Sequence, residues 1–276
     1  GESFDYPDYF FQKRVHHIAR RVADDYDIAK AVEMIKASKT PMLISGGGVR
    51  YSEAGETVME FCKEFKIPVS QTQAGHSALP DSFEYSVGGI GVTGGMAANK
   101  LAQTTDLIIA VGTRLNDFVT GSKWVLFRNK DIKVLAINTS EFHAEKVDAT
   151  RCIGDAKVTL EAIMKELKAA GYKSSYTTEI AEINKEWEKE RLSVLGVQYH
   201  GEGFGEGKFV PCVPSWRENI MEDFIRDIGG TITESNGVGI VREEVDDDAI
   251  VVAAAGSLPA DLERLWVTDA KDSYHM

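Results

Sequence analysis

The residues of this chain with the clearest chemical use sit in short turns at the ends of apolar runs. Three turns are rich in glycine: Gly46-Gly47-Gly48, the stretch GGIGVTGG from Gly88 to Gly95, and Gly112-Thr113-Arg114. A fourth, Asn138-Thr139-Ser140, is polar. Glycine lets a backbone come close to a phosphate, and a turn that opens a helix presents unpaired N–H groups to an anion. Thr93 offers a hydroxyl, and Arg114 carries the planar fork that clamps a diphosphate with two hydrogen bonds. The chemistry implied is the holding of a nucleotide-like or diphosphate group. Each turn taken alone also reads as plain structure, and Arg114 could equally pair with Asp117.

Several sharper chemistries are disfavoured. GGG followed by Val and Arg does not match GxGxxG, and the acid about 20 residues further on, Glu64, falls inside a helical pattern rather than at a strand end, so a nicotinamide dehydrogenase is not favoured. There is no GxSxG elbow, no P-loop and no HExxH, and the six histidines lack a Ser or Cys partner. His16-His17 has no acid or cysteine at ligand spacing and reads as a solvated face, so no metal site is expected. Cys62, Cys152 and Cys212 are far apart and read as buried thiols rather than a disulfide or zinc framework.

The elements that must position these turns alternate. DIAKAVEMIKAS has the spacing of an amphipathic helix, and PMLIS is a short apolar run that ends in the first glycine turn. SEAGETVMEFCKEF is a helix, IPVSQT a strand, GGMAANKLAQ a helix, DLIIAVG a strand and KVLAINTS a strand. After a short apolar segment at Cys152-Ile153, GDAKVTLEAIMKELKAA is a long helix for which Asp155 is the cap. Helices alternating with continuous apolar strands predict an α/β fold, a doubly wound parallel sheet with helices on both faces. In such a sheet ligands bind at the carboxyl ends of the strands, where all four turns fall.

Residues 1–26 read as an amino-terminal extension, 27–170 as the doubly wound domain, and 171–204 as a charged linker helix and a loop. Residues 205–276 read as a second, truncated α/β domain. There TESNGVGIVREEV is a helix capped by Thr233, in spite of Gly237 and Gly239, and AIVVAAAGS is a buried strand.

Composition limits the partners. The 276 residues are 43% hydrophobic and carry a net charge of −12, which disfavours nucleic acid and anionic membranes. No apolar run approaches the roughly 20 residues that cross a bilayer, and GESFDYPDYFFQKR lacks the pattern of a signal peptide, so a cytoplasmic location is expected.

Taken in order, PMLISGGGVR, IPVSQTQAGHSALP, GGIGVTGGMAANKLAQTTDLIIAVGTRLNDFVTG and IGDAKVTLEAI resemble the middle domain of thiamine diphosphate enzymes of the acetohydroxyacid synthase type. The likeness runs continuously over about residues 27–165, and it rests on several blocks in order rather than on one. DAIVVAAAGSLPADLERLW and SYHM resemble the carboxyl-terminal domain of the branch that opens a trihydroxycyclohexane-1,2-dione in myo-inositol breakdown.

This resemblance implies a three-domain parent, homo-oligomeric, that uses thiamine diphosphate and Mg²⁺ to hydrolyse a C–C bond of a cyclic dione. The thiamine would lie between two subunits, so this piece would expose apolar surface that meets its partners. The catalytic glutamate and the metal motif would lie outside this chain, which makes it a fragment expected to be inactive by itself. Gly256, Ser257 and Leu258 would meet the diphosphate of thiamine. Acetohydroxyacid synthases hold FAD in this middle domain, and its ligands would fall at Gly46, Gly47, Gly48, Gly91, Thr93, Gly94, Asn99, Gly112, Arg114 and Asn138. Many relatives keep the sheet without the ligand, and an empty cleft is the state expected here. An acetolactate synthase-like carboligase and a non-catalytic nucleotide-binding module are the alternatives, and GFGEGKFVPCVPSWRENIMEDFIRDIGG matches no pattern of the family.

Overall fold

The computed structural model describes residues 3–199 and 231–276. The loop expected from YHGEGFGEGKFVPCVPS, the unmatched segment after it and Cys212 lie outside the described residues, apart from Tyr199.

Six parallel strands form the central sheet in the order β3-β2-β1-β4-β5-β6. They are β1 (Pro41–Ser45), β2 (Val69–Gln71), β3 (Ser86–Gly89), β4 (Leu107–Val111), β5 (Lys133–Asn138) and β6 (Thr150–Ile153). The order turns back at the β1/β4 pair, in register from Pro41 opposite Leu107 to Ser45 opposite Val111. That is the doubly wound, Rossmann-like order, with its switch point between the first and fourth strands. The alternation of apolar runs and helices thus leads to the predicted fold class.

Both faces of the sheet are buried, which is why its strands are apolar throughout rather than alternating. On one face Leu43, Ile109 and Ile137 pack with Ile35 of α1 (Asp25–Ala37), with Phe61 and Phe65 of α3 (Gly55–Phe65) and with Leu160 and Ile163 of α7 (Ala156–Ala169). On the other face Met42, Ile44, Ile108 and Ala110 pack with Ala98 and Leu101 of α4 (Met96–Ala102). Asp155 caps α7 as expected, accepting from the backbone N–H groups of Lys157 (3.1 Å) and Val158 (3.3 Å). Its other oxygen holds Arg20 at 3.0 Å and Ser52 at 2.8 Å, which ties the amino-terminal stretch to the sheet.

The structure departs from expectation at the rims. GGIGVTGG begins inside a strand, because Ser86–Gly89 is the edge strand β3, and the segment at Cys152-Ile153 belongs to the opposite edge strand β6. SVGG and TRCI lack the continuous apolar run of the inner strands, since edge strands need less burial. The helix read as a linker, α8 (Glu179–Leu195), lies against α4, and its Ile180 and Ile183 join the core of that sheet face. Its Trp187 packs against that core and also against a third cluster of Val238, Leu262, Leu265, Trp266 and Tyr274.

That third cluster belongs to residues 231–276. There α9 (Glu234–Glu244) is capped by Thr233, which accepts from the Asn236 N–H at 3.0 Å, as expected. The buried strand expected from AIVVAAAGS is corrected. Only Val251–Val252 is strand, and Ile250 and Val252 are 70% and 76% exposed. This strand, β9, has one neighbour among the described residues, the parallel β10 (Tyr274–His275). A second pair of two-residue strands, β7 (Gln198–Tyr199) and β8 (Thr231–Ile232), is antiparallel. Among the described residues no helix is long and apolar enough to cross a membrane. The amino-terminal stretch carries exposed Phe4, Phe11, Val15 and Ile18 on its surface.

Candidate functional site

A cleft of about 500 Å³ opens at the carboxyl ends of β1 and β4. Its walls are the two turns that flank the switch point, Gly47-Gly48 after β1 and Gly112-Thr113-Arg114 after β4, together with Thr72, Gln73 and Ala74 after β2. Thr93, Asn116 and Phe118 add a further side, and Ala255, Gly256, Pro259, Ala260, Glu263 and Met276 close it from residues that lie far along the chain. The volume suits a nucleotide-sized ligand.

Of the thirteen residues that the sequence nominates, six line this cleft: Gly47, Gly48, Thr93, Gly112, Arg114 and Gly256. Seven do not. A Cβ on Gly46 would come within 2.5 Å of the Gly112 carbonyl oxygen, so that glycine allows two strand-end turns to touch. Gly91 has φ of +109° and packs on the Phe118 backbone, and Gly94 packs on the backbone of Gly89 and Ile90. Asn99 spends both ends of its amide on Gly91, donating to its carbonyl at 2.8 Å and accepting from its N–H at 3.0 Å. Asn138 likewise donates to the Thr113 carbonyl at 3.1 Å and accepts from the Ser140 N–H at 3.0 Å. Ser257 donates to the Glu234 carboxylate at 3.0 Å, and Leu258 is half exposed.

Two side chains of the cleft differ in their freedom. Arg114 is exposed and forms no ion pair among the described residues, so the pairing with Asp117 is not made. Thr93 is already engaged: its hydroxyl donates to Glu263. Glu263 is 4% exposed, and burial pushes its carboxyl up to about 7, against the pull of the Thr93 hydroxyl and nearby His76.

Sequence reasoning missed Glu263 and the cluster behind it. His76 places Nε2 3.1 Å from Asp81, stacks on Tyr274 with ring centroids 4.4 Å apart, and leaves its buried Nδ1 without a partner. Gln73 donates to the Pro259 carbonyl at 3.1 Å, and Arg50 donates to the Tyr274 carbonyl at 2.7 Å and holds Asp272 at 3.2 Å. These bonds lash residues 257–275 to the sheet. No spacing signals them, because their partners lie about 190 to 220 positions apart in sequence.

The Gly256 turn opens a helix with a backbone that suits glycine. Gly256 has φ of +147°, which side-chain-bearing residues rarely adopt, and α10 (Ser257–Leu265) begins there with no side chain capping its N–H groups among the described residues. Among the described residues no group of three His, Cys, Asp or Glu could hold a metal ion.

Residues 28–163 match the family described as thiamine pyrophosphate enzyme, central domain. This segment is a thiamine pyrophosphate enzyme central domain. The match ends at the middle of α7, so it covers the whole six-stranded sheet and the turns around the switch point. The chain is also similar along its entire length to proteins named 3D-(3,5/4)-trihydroxycyclohexane-1,2-dione hydrolase. The one from Clostridium perfringens strain 13 is 48% identical over 276 residues, and those from Bacillus thuringiensis strain Al Hakam and Clostridium tetani are each 46% identical over the same length. The chain covers 42% of each of these relatives. The central domain and the residues that follow it therefore travel together in those proteins.

Proposed function

We propose that this chain supplies the central domain and the start of the diphosphate-binding domain of a thiamine diphosphate-dependent hydrolase that opens trihydroxycyclohexane-1,2-dione. The observation that carries this reading is the full-length likeness to hydrolases of that name, which includes the cleft turns and the Gly256 turn alike. Thiamine diphosphate, when bound, would supply the electron-sink chemistry by which a C–C bond beside a carbonyl becomes cleavable. This chain's share is to hold the anionic end of ligands. The Gly256-Ser257-Leu258 turn offers the diphosphate backbone N–H groups that no described side chain caps, and Arg114 offers a guanidinium that is unpaired among the described residues.

Among the described residues no cluster could hold a metal, so in this reading the metal's oxygen ligands, like the proton acceptor that activates the cofactor, would come from outside this chain. The isolated chain is therefore inactive in this reading. The FAD cleft of the related synthases is left empty, because Asn99 and Asn138 are consumed by backbone and Thr93 by Glu263.

A chimera tests the proposal. This chain replaces the matching segment of the Clostridium perfringens hydrolase, and turnover is measured on the cyclic dione and on pyruvate. Ring hydrolysis with no acetolactate is expected. A folded chimera that joins two pyruvates, or that hydrolyses nothing with cofactor bound, overturns the reading. Calorimetry of the chain with FAD, NAD and ADP separates the nucleotide-module alternative, for which a tight one-to-one heat would speak.

A further inference from the structure

The cleft holds one acid that the diphosphate reading leaves without a role. Among the residues lining the cleft, Arg114 and Glu263 are the only Asp, Glu, Lys, Arg or His side chains. The charge they share changes by one unit with the protonation of Glu263. The acid is packed against the cleft wall. A Cβ on Gly89 would already sit 3.0 Å from its Cγ, and Thr93, itself part of the cleft wall, donates to its carboxyl.

We propose that Glu263 is a proton-operated gate for anions in this cleft. Neutral, it leaves Arg114 as the one charged side chain of the cleft and admits a diphosphate group; ionised, it cancels that charge and repels the ligand. The inference rests on the reading of the cleft as a diphosphate site.

The surroundings of Glu263 place the switch near neutral pH. Burial disfavours its charge most strongly, whereas the Thr93 hydroxyl and His76 favour it. The other charged groups around it are already engaged. Asp81 accepts from the Thr268 N–H at 2.9 Å and faces His76, while Arg264 pairs with Asp261 on the same helix. Beyond Glu263, on the far side from the main cleft, Arg191 pairs with Glu188 at 2.8 Å. From β10, Tyr274 presents a phenol whose own ionisation is disfavoured by burial, so it stays neutral. Glu263 is thus the acid of the cleft wall whose charge can change as an anion arrives. Linkage makes the effect reciprocal: if its charge weakens anion binding, anion binding must draw a proton onto it.

Titration calorimetry of this chain with inorganic pyrophosphate, in buffers of different ionisation heat, reads both sides of that linkage. Affinity is expected to fall about tenfold from pH 6 to pH 8, and binding at pH 7 to take up a fraction of a proton. In Glu263→Gln the fall shrinks to within about twofold of that set by pyrophosphate's own ionisation, which is common to both proteins. Thr93→Val removes a donor that favours the carboxylate, so its fall in affinity moves to higher pH. Equal pH dependence in the wild type and Glu263→Gln, or binding without proton uptake, overturns the gate and leaves the cleft reading standing. No pyrophosphate binding at any pH overturns both.

Discussion

Replacing Glu263 by Gln should change how the stability of this chain depends on pH, and the size of the change follows from the burial of one carboxyl. An ordinary glutamate ionises at 4.5, and Glu263 is held up to about 7. Between those values the folded protein keeps a proton that the unfolded chain releases, so raising the pH favours unfolding. The stability that the neutral carboxyl contributes is complete below 4.5, declines as pH rises, and is gone above about 7. At 1.36 kcal/mol per pH unit the whole loss is about 3 kcal/mol, of which about 2.5 kcal/mol falls between pH 5 and pH 8. Exposure of 4% leaves little solvent to screen it. Glutamine fills the same space and accepts the Thr93 hydroxyl, yet carries no proton to lose. Urea unfolding followed by tryptophan fluorescence at pH 5 and pH 8 measures the difference. The wild type should lose about 2.5 kcal/mol more than Glu263→Gln over that interval, with the ionisation of all other groups cancelling. An equal loss in the two proteins would show that Glu263 ionises like a surface acid, and the proton gate would fail with it, while the reading of the cleft would stand.

Other outcomes follow from the same structure. Gly91→Ala forces a Cβ onto the Phe118 carbonyl at φ of +109° and should cost about 2–4 kcal/mol, whereas Gly171→Ala, at φ of +64° in open space, should cost only about 1 kcal/mol; paired urea midpoints compare them. Asn99→Ala strips two hydrogen bonds from Gly91 and should destabilise by about 2 kcal/mol in the same assay. Burial pushes the Cys62 and Cys152 thiols up, so neither should react with a disulfide reagent at pH 8 until urea unfolds the sheet, as followed by thiol release. Arg50→Ala removes the bonds to Asp272 and the Tyr274 carbonyl, and should speed tryptic cleavage at Lys271 relative to cleavage in the sheet domain.

The inner strands were legible because they are buried on both faces. PMLIS and DLIIAVG announce themselves by continuous apolar residues, and the physical demand that writes that pattern is local. The capping of α7 by Asp155 and of α9 by Thr233 was legible for the same reason, since cap and helix are adjacent in sequence. What escaped the sequence was tertiary. Edge strands SVGG and TRCI need less apolar content, and nothing in ADLERL distinguishes Glu263 from a solvated helical face. Its burial comes from Gly89 and Thr93, whose distance from it along the chain exceeds 160 residues. The short, exposed β9 contradicts its own apolar sequence because burial depends on what covers a strand as well as on what the strand contains.

The glycine turns show why ligand sites are hard to read from composition. A Cβ on Gly48 would lie 2.6 Å from the Gly112 Cα, and one on Gly112 would lie 2.6 Å from the Gly48 Cα. Each glycine is required by the other, whatever occupies the cleft. Close approach of these two turns is what brings the ends of β1 and β4 together at the switch point, and the Gly48 N–H bonds the Gly112 carbonyl at 2.9 Å across it. Packing therefore accounts for both residues before any phosphate is invoked. Among the glycines that line the cleft, the one that packing does not explain is Gly256, whose Cβ would meet only Pro259 at 3.9 Å and whose backbone nevertheless takes φ of +147° at the start of a helix that no described side chain caps. A residue held in a conformation that no neighbour demands has its reason in the turn itself, and there the turn faces the cleft. Gly256→Ala should accordingly leave the sheet domain intact and weaken pyrophosphate binding, while Gly48→Ala should disturb the fold first; calorimetry read beside urea unfolding tells the two apart.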